Sequence, residues 1–228
     1  MSANASTTEL SRRLAALSPE RLALLQRRLV RPAVGDGAEE IPMQPRGQRR
    51  DFPLSSAQER MWFNHQLSPD KPLYNESFGL RIKGNLMVDL LARSIDYMMA
   101  RHEIFTITLH AAEGLLFQRL AGCLPPRLEM LDLSELDESR REATYHEGAQ
   151  RLLCRPFELD CGPLFRAGLW TISEGEHRLI FVMHHIIFDG WSGSVFFREL
   201  LTTYNTLVAG GEPHLPPPGP QYVDFAFW

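Results

Sequence analysis

Leu179-Ile180-Phe181-Val182-Met183 is an unbroken apolar run that stops abruptly at His184-His185. Such a run reads as a strand near the centre of a sheet, covered on both faces. Adjacent strand residues point to opposite faces. If the strand geometry holds to its end, one histidine faces a cleft and the other packs behind it. Asp189-Gly190 then turns the chain into a helix that runs to about Val208, with Ser192 or Ser194 as its expected cap.

The other segments alternate in period around this strand. Ser55 or Ser56 caps a helix to about Gln66, and Glu76–Lys83 alternates as a strand closed by Gly84-Asn85. Met87–Arg101 places Leu90, Leu91, Ile95, Met98 and Met99 on one helical face. Ile104–Leu109 and Leu115–Leu120 read as a hairpin around Glu113-Gly114, and Leu128–Leu131 as a short strand. Ser134 is the expected cap of a long helix to about Leu153, and Leu164–Ile172 is a further strand. Intermixed helices and strands place the fold in the α/β or α+β class. A proline-rich stretch, Pro213 to Pro220, leads to Gln221-Tyr222-Val223-Asp224-Phe225-Ala226-Phe227-Trp228. Half of those last eight residues are aromatic, so this end either docks into a core or has been cut from one.

The folded body is expected over residues 52–228. Residues 32–51, with Pro32, Gly35, Gly37, Pro42, Pro45 and Gly47, read as a linker. Residues 1–31 read as a helical arm of two short helices, about 9–17 and 19–30. Leu10, Leu14 and Leu17 form one stripe and Leu22, Leu25 and Leu29 the other, with Ser18-Pro19-Glu20 starting the second. Residues 1–50 carry nine basic and five acidic side chains, a basic appendage on an acidic body. That charge suits a solvated helix face or a docking element for a partner protein.

A length of 228 residues fits one large domain or two small ones. The formal net charge of −4 argues against a bulk electrostatic grip on nucleic acid or on an anionic membrane. No run approaches the ~18 apolar residues that span a bilayer, and the N-terminus has no apolar signal core. Cys123, Cys154 and Cys161 are too few and too scattered for a disulfide framework or a zinc site. A reduced, cytoplasmic protein is expected, in which Asn75-Glu76-Ser77 has no meaning as a glycosylation sequon.

The chemistry concentrates in Met183-His184-His185-Ile186-Ile187-Phe188-Asp189-Gly190-Trp191-Ser192. Divergent histidines weaken a two-histidine metal site, and no further ligands stand at zinc-like spacing. Gly190-Trp191-Ser192-Gly193-Ser194 lacks the final glycine of the GxSxG nucleophile elbow. Neither GxxxxGK(S/T) nor GxGxxG occurs. A histidine at a strand end is ordinarily structural, yet an imidazole with a pKa near 6.5 suits a general base. Asp189 would need a cation or backbone donors to stay ionised on an apolar wall, and it also reads as a plain helix cap before Gly190.

His184-His185-x-x-x-Asp189-Gly190-Trp191-Ser192 resembles the HHxxxDG(WS) signature of condensation domains of nonribosomal peptide synthetases. Leu54-Ser55-Ser56-Ala57-Gln58-Glu59-Arg60-Met61-Trp62-Phe63 is similar to the family's SxAQxRLWF helix. Arg101-His102-Glu103 matches the start of its RHExLRTxF motif. Pro156-Phe157-Glu158-Leu159 and Gly162-Pro163-Leu164-Phe165-Arg166 resemble the stretch before the active-site strand. Tyr222-x-Asp224-Phe225-Ala226-x-Trp228 is similar to YxDFAxW. These matches keep the family's order from residue 54 to 228, and the chain is identified as a member of that family. One departure stands out: Thr106 replaces the second arginine of the RHExLRT motif.

The resemblance implies a chloramphenicol acetyltransferase-like α/β (α+β) sandwich lobe, with a mixed sheet and flanking helices. Two such lobes form a V around a tunnel, so residues 52–228 would be the N-terminal lobe, ending near the lobe boundary with the C-terminal lobe absent. It implies amide bond formation between a donor acyl or peptidyl thioester and an acceptor aminoacyl thioester. Both arrive on phosphopantetheine arms of upstream and downstream carrier domains, so no cofactor or metal is bound directly. Carried over, His185 accepts the amine proton or positions the amine, and His184 supports it. Asp189 holds the loop through an arginine pair for which Arg101 is the candidate. Gly190 leaves room for the pantetheine arm, Trp191 packs, Ser192 supports the loop, and Asp224 and Trp228 are structural.

The opening helix and Leu73-Tyr74-Asn75 resemble domains that take a D-configured donor or a fatty acyl starter. Met1 and the basic arm suit the first domain of a synthetase polypeptide that docks an upstream partner through residues 1–31. A missing lobe would leave apolar surface exposed, on which a homodimer could form. The competing readings are a coenzyme A-dependent acyltransferase of the same superfamily and a carrier-binding module without catalysis.

Overall fold

The computed structural model describes residues 42–112, 114–120 and 128–228, which belong to one compact unit. The two expected arm helices, the linker up to residue 41 and Cys123 lie outside the described residues. The described strands are β1 (Asp51–Pro53), β2 (Asn75–Lys83), β3 (Ile107–Ala112), β4 (Leu115–Leu120), β5 (Glu129–Asp132), β6 (Phe165–Ser173) and β7 (Glu176–His184). The helices are α1 (Ser56–Gln66), α2 (Val88–Arg101), α3 (Glu138–Cys154), α4 (Gly190–Val208) and α5 (Tyr222–Phe227), with a 3₁₀ turn at Glu103–Thr106.

The strands form two sheets. One is four-stranded in the order β2-β7-β6-β5, with β5 parallel to β6 and the other pairs antiparallel. The other is the three-stranded antiparallel sheet β1-β4-β3. The apolar run is thus inner strand β7, and Leu179 to Met183 are all buried. Helix α4 lays Phe196, Leu200, Thr203 and Leu207 against the core at helical spacing. Phe196 meets Phe181 of β7 edge to face at 5.5 Å and Phe165 of β6 at 6.1 Å. On the neighbouring helix α2, Leu91, Ile95, Met98 and Met99 are buried as the periodicity predicts.

Several boundaries differ from the sequence reading. Helix α3 starts at Glu138, not after Ser134. Asp137 accepts from the Arg140 N–H and caps it, while the Ser134 N–H is taken by the Asp132 carboxylate at 2.9 Å. The strand expected from Ile104 begins at Ile107, because Thr106 Oγ1 donates to Glu103 O and closes the 3₁₀ turn. The terminal aromatic segment is a helix.

The end of the expected linker is pinned to the body. Arg46 Nε donates to Asp224 Oδ1 at 2.8 Å, and Arg46 also pairs with Glu103. Asp224 is fully buried in the first turn of α5, where it also accepts the Gln221 N–H. Strand β1 follows and pairs Phe52 with Gln118 of β4. Phe52 meets Phe227 of α5 edge to face at 6.2 Å. Residues 44–53 and the aromatic end therefore pack as one unit.

The Arg46 hydrogen bond holds the Asp224 carboxyl below its usual range, against the opposing effect of burial. A depressed carboxylate contributes stability above its unfolded pKa near 3.9, and that contribution disappears as pH falls through the lower folded value. Arg46→Ala strands a buried carboxylate and is expected to cost about 3 kcal/mol in urea unfolding at pH 7. The gap to the parent should shrink at pH 3, because without Arg46 the buried carboxyl relieves its cost by taking up a proton. An equal gap at both pH values would contradict the pairing.

Candidate active site

The site is built where β7 ends. The His184 N–H donates to Leu164 O at 3.0 Å, and the His185 N–H donates to Tyr74 O at 2.8 Å on the opposite side. Backbone pairing thus continues through both histidines, and their side chains diverge. His184 is 1% exposed, while the His185 side chain is 37% exposed.

His184 lies edge-on to His65 of α1 at 5.4 Å and to Phe157 at 6.1 Å. Its Nδ1 accepts the Ile186 N–H at 3.1 Å, so its ring hydrogen sits on Nε2. Burial lowers its pKa to about 3, with smaller effects from His65 and His185. The ring is therefore a neutral acceptor that shapes the turn.

His185 has the opposite hydrogen arrangement. Its Nδ1 lies 2.8 Å from Phe188 O. A carbonyl only accepts, so Nδ1 carries the hydrogen and Nε2 keeps its lone pair. The loop is braced from α1: Gln58 Nε2 reaches Ile186 O at 3.5 Å, while Gln58 Oε1 accepts the Ser55 N–H in a capping box. The serine and glutamine of the SxAQ motif thus serve the histidine loop. Glu76 of β2 pairs in register with Met183 and places Oε1 3.7 Å from His185 Nδ1. The sequence reading does not single out Glu76. The one local signal for it is an acidic side chain at the start of an alternating strand.

Asp189 does not pair with Arg101. It is the N-cap of α4, accepting the Ser192 N–H at 2.8 Å and the Ser192 hydroxyl at 2.7 Å. The Ser192 backbone bond, then its hydroxyl, hold the Asp189 carboxyl below its usual range. Ser192 is therefore the third residue of the helix rather than its cap, and Asp189 finds backbone donors in place of a cation. Arg101 instead donates from Nε to Glu199 at 2.9 Å and from its terminal nitrogen to Pro216 O at 2.6 Å. His102 shares Glu199, and the Glu103 N–H donates to Gln221. Burial works to raise the Glu199 carboxyl, but the Arg101 and His102 bonds overcome it and hold it low. The RHE residues thus tie α2 to α4, to the proline-rich stretch and to the start of α5.

The other motif residues are also ties. Arg166 lies 3.8 Å over the Phe157 ring and donates to Arg155 O at 2.6 Å and to Pro156 O. Burial, then Arg155, lower its pKa to about 10. Asn75 donates to Leu153 O at 2.7 Å and to Arg155 O at 3.0 Å, satisfying the end of α3. Trp191, expected to pack, is 80% exposed in the first turn of α4. It rims an apolar cavity of about 170 Å³ lined also by Ile104, Phe105, Ile187, Phe188 and Tyr222. A side chain built at Gly190 would meet nothing within 4 Å. Among the described residues no group of three or more histidine, cysteine or acidic side chains converges as a metal site, and no helix is long and apolar enough to cross a membrane.

This layered lobe, with a histidine at the end of an inner strand, has the fold of solved condensation domains. The starter condensation domain of rhizomide synthetase superposes with a TM-score of 0.67 at 22% identity, covering 77% of this chain and 42% of that one. The first condensation domain of the CDA synthetase gives 0.62 at 25% identity, covering 72% and 42%. The chloramphenicol acetyltransferase-like class expected from the motifs is the class of these domains. The chain belongs to the condensation-domain family, which matches residues 48–228. It is 36% identical over 220 residues to the phosphinothricin tripeptide synthetase PhsC of Streptomyces viridochromogenes, covering 96% of this chain and 20% of that protein. It is 38% identical over 197 residues to a linear gramicidin synthase of Brevibacillus parabrevis, covering 86% and 2%. The chain therefore spans less than half the length of these solved domains and a small part of the synthetases.

With a folded pKa near 3 against about 6.5 unfolded, His184 takes up a proton only on unfolding through the intervening range. Stability from this group is full above pH 6.5 and falls as pH drops towards 3. The His184 ring should stay neutral in an NMR titration from pH 8 to 5. His184→Leu should remove about 2 kcal/mol of the stability lost between pH 7 and 5. A ring that titrates near 6.5 would contradict this placement.

Proposed function

We propose that the chain supplies the histidine-bearing lobe of a peptide-bond-forming site in a nonribosomal peptide synthetase. The donor is an acyl or peptidyl thioester and the acceptor an aminoacyl amine, both held on phosphopantetheine arms of carrier domains. The observation that carries this reading is the hydrogen placement on His185: Nδ1–H is committed to Phe188 O, and Nε2 is left as the base. As the amine nitrogen bonds to the thioester carbon, its proton passes to Nε2. The tetrahedral adduct collapses, the carbon–sulfur bond breaks, and the leaving thiolate takes the proton back. The products are an amide and a free pantetheine thiol. A free α-amine has a pKa near 8 and is already nucleophilic, so the base acts mainly on the proton released during attack.

The remaining assignments belong to the same proposal. His184 and Asp189 shape the loop from its two ends, and Ser192 fixes the Asp189 carboxylate. The open space beside Gly190 supports passage of the pantetheine arm. Trp191, Tyr222, Phe225 and Trp228 are exposed apolar side chains on the lobe. We assign their cover to a second lobe of the same domain rather than to a second copy, because the chain spans about 42% of solved condensation domains. Residues 1–31, rich in arginine, are assigned to docking of an upstream synthetase polypeptide.

Two experiments test this. In the synthetase carrying both lobes, His185→Ala should slow transfer between loaded carriers by about 10²–10⁴. Full activity would leave the lobe a binding module. Deleting residues 1–31 should weaken transfer from the upstream carrier while transfer from a small-molecule thioester donor is kept. Equal transfer from the upstream carrier with and without the arm would remove the docking role.

A further inference from the structure

A second ionisable side chain approaches the His185 imidazole at Nδ1. Glu76 Oε1 lies 3.7 Å from Nδ1. Its place is set by backbone pairing, since β2 and β7 are in register from Asn75↔His184 to Lys83↔Glu176. We propose that Glu76 is a positioning residue for His185, whose carboxylate stabilises the imidazolium formed when Nε2 takes the amine proton. This rests on the reading of His185 as the base.

At 3.7 Å the Glu76 carboxylate is too distant for a strong hydrogen bond, and the Nδ1 hydrogen already points at Phe188 O at 2.8 Å. Glu76 therefore acts through charge, while Phe188 O sets the tautomer. The site's other carboxylate is engaged elsewhere: Asp189 accepts both Ser192 donors as the cap of α4. Among the described residues Glu76 enters no other ion pair.

The charge balance shows where Glu76 helps. With His185 neutral, the carboxylate meets only the imidazole dipole. When the amine nitrogen–carbon bond forms and the proton moves to Nε2, the ring becomes positive 3.7 Å from a negative oxygen. When the carbon–sulfur bond breaks and the thiolate recovers the proton, the attraction ends. An interaction present in the charged adduct and absent in the ground state accelerates the step without tightening substrate binding. Glu76 and His185 are 48% and 37% exposed, which limits the effect in this lobe. Cover that excludes water strengthens it.

The test uses the synthetase with both lobes and carriers loaded with donor and acceptor, under single-turnover conditions. Glu76→Gln keeps size and removes charge. It should lower the transfer rate by about tenfold with half-saturation unchanged. Glu76→Asp should recover part of the rate, and Glu76→Gln should cost nothing further on a His185→Ala background. A parent-like rate for Glu76→Gln would overturn the proposal. So would a loss confined to half-saturation, an equal loss in Glu76→Asp, or an additive loss on the His185→Ala background. His185→Ala with full activity would instead overturn the base assignment itself.

Discussion

The site depends on the backbone pairing that carries β7 past its last apolar residue. The His184 N–H reaches back to Leu164 O and the His185 N–H to Tyr74 O. Two neighbouring strands therefore hold consecutive residues, and pleating sends their imidazoles apart. His184 falls into a closed layer of His65, Tyr74 and Phe157 and stays neutral. His185 falls at the edge of the lobe. From there only Ile186, Ile187 and Phe188 separate it from Asp189, the cap of α4. A three-residue turn between two rigid elements leaves little freedom, and its Ile186 carbonyl is braced again by Gln58. Such support keeps the His185 ring in place more firmly than a long loop would.

The motif residues outside this turn act as fasteners. Arg101 and His102 share Glu199, and Arg101 also clamps Pro216. Arg166 sits over Phe157, the ring behind His184. Asp224 is buried because Arg46, 178 residues earlier, meets it with two nitrogens. Each tie joins segments distant in sequence. Leaving one ionised partner buried and alone costs more than the pair itself contributes. That asymmetry explains why fasteners as well as chemical groups form recognisable motifs.

The parts legible in the sequence are those with local causes. The apolar run of β7, the α2 face from Leu91 to Met99 and the opposite fates of His184 and His185 follow from periodicity alone. Caps are half legible. Ser55, read together with Ser56 as a candidate, caps α1; Asp137 caps α3 in place of the expected Ser134; and α4 is capped by Asp189, read as a possible cap itself, rather than by Ser192 or Ser194. In both cases an aspartate stands close by, and a carboxylate accepts the helix N–H more strongly than a hydroxyl. Pairing at long range is not legible. Resemblance matches Arg101 to Asp189, yet Glu199, ten residues further along the chain, is the carboxylate within its reach. Glu76 is hidden by the same limit, because its partner depends on the β2–β7 register. The resemblance implies packing for Trp191, whereas the surface that would cover it is not formed by the described residues.

Exposure decides how strongly the site can act. The Nδ1–H to Phe188 O bond is internal to the turn and persists whatever surrounds the lobe. The Glu76–His185 attraction is not internal: half in water, an ion pair of this kind contributes little. Excluding water lowers the local dielectric and strengthens the attraction several-fold. The same exclusion raises the cost of any charge left unpaired. A covered site therefore needs the carboxylate more than an open one does. On this argument the lobe fixes the His185 tautomer by itself, while the proposed Glu76–His185 attraction gains strength only where water is excluded from the pair.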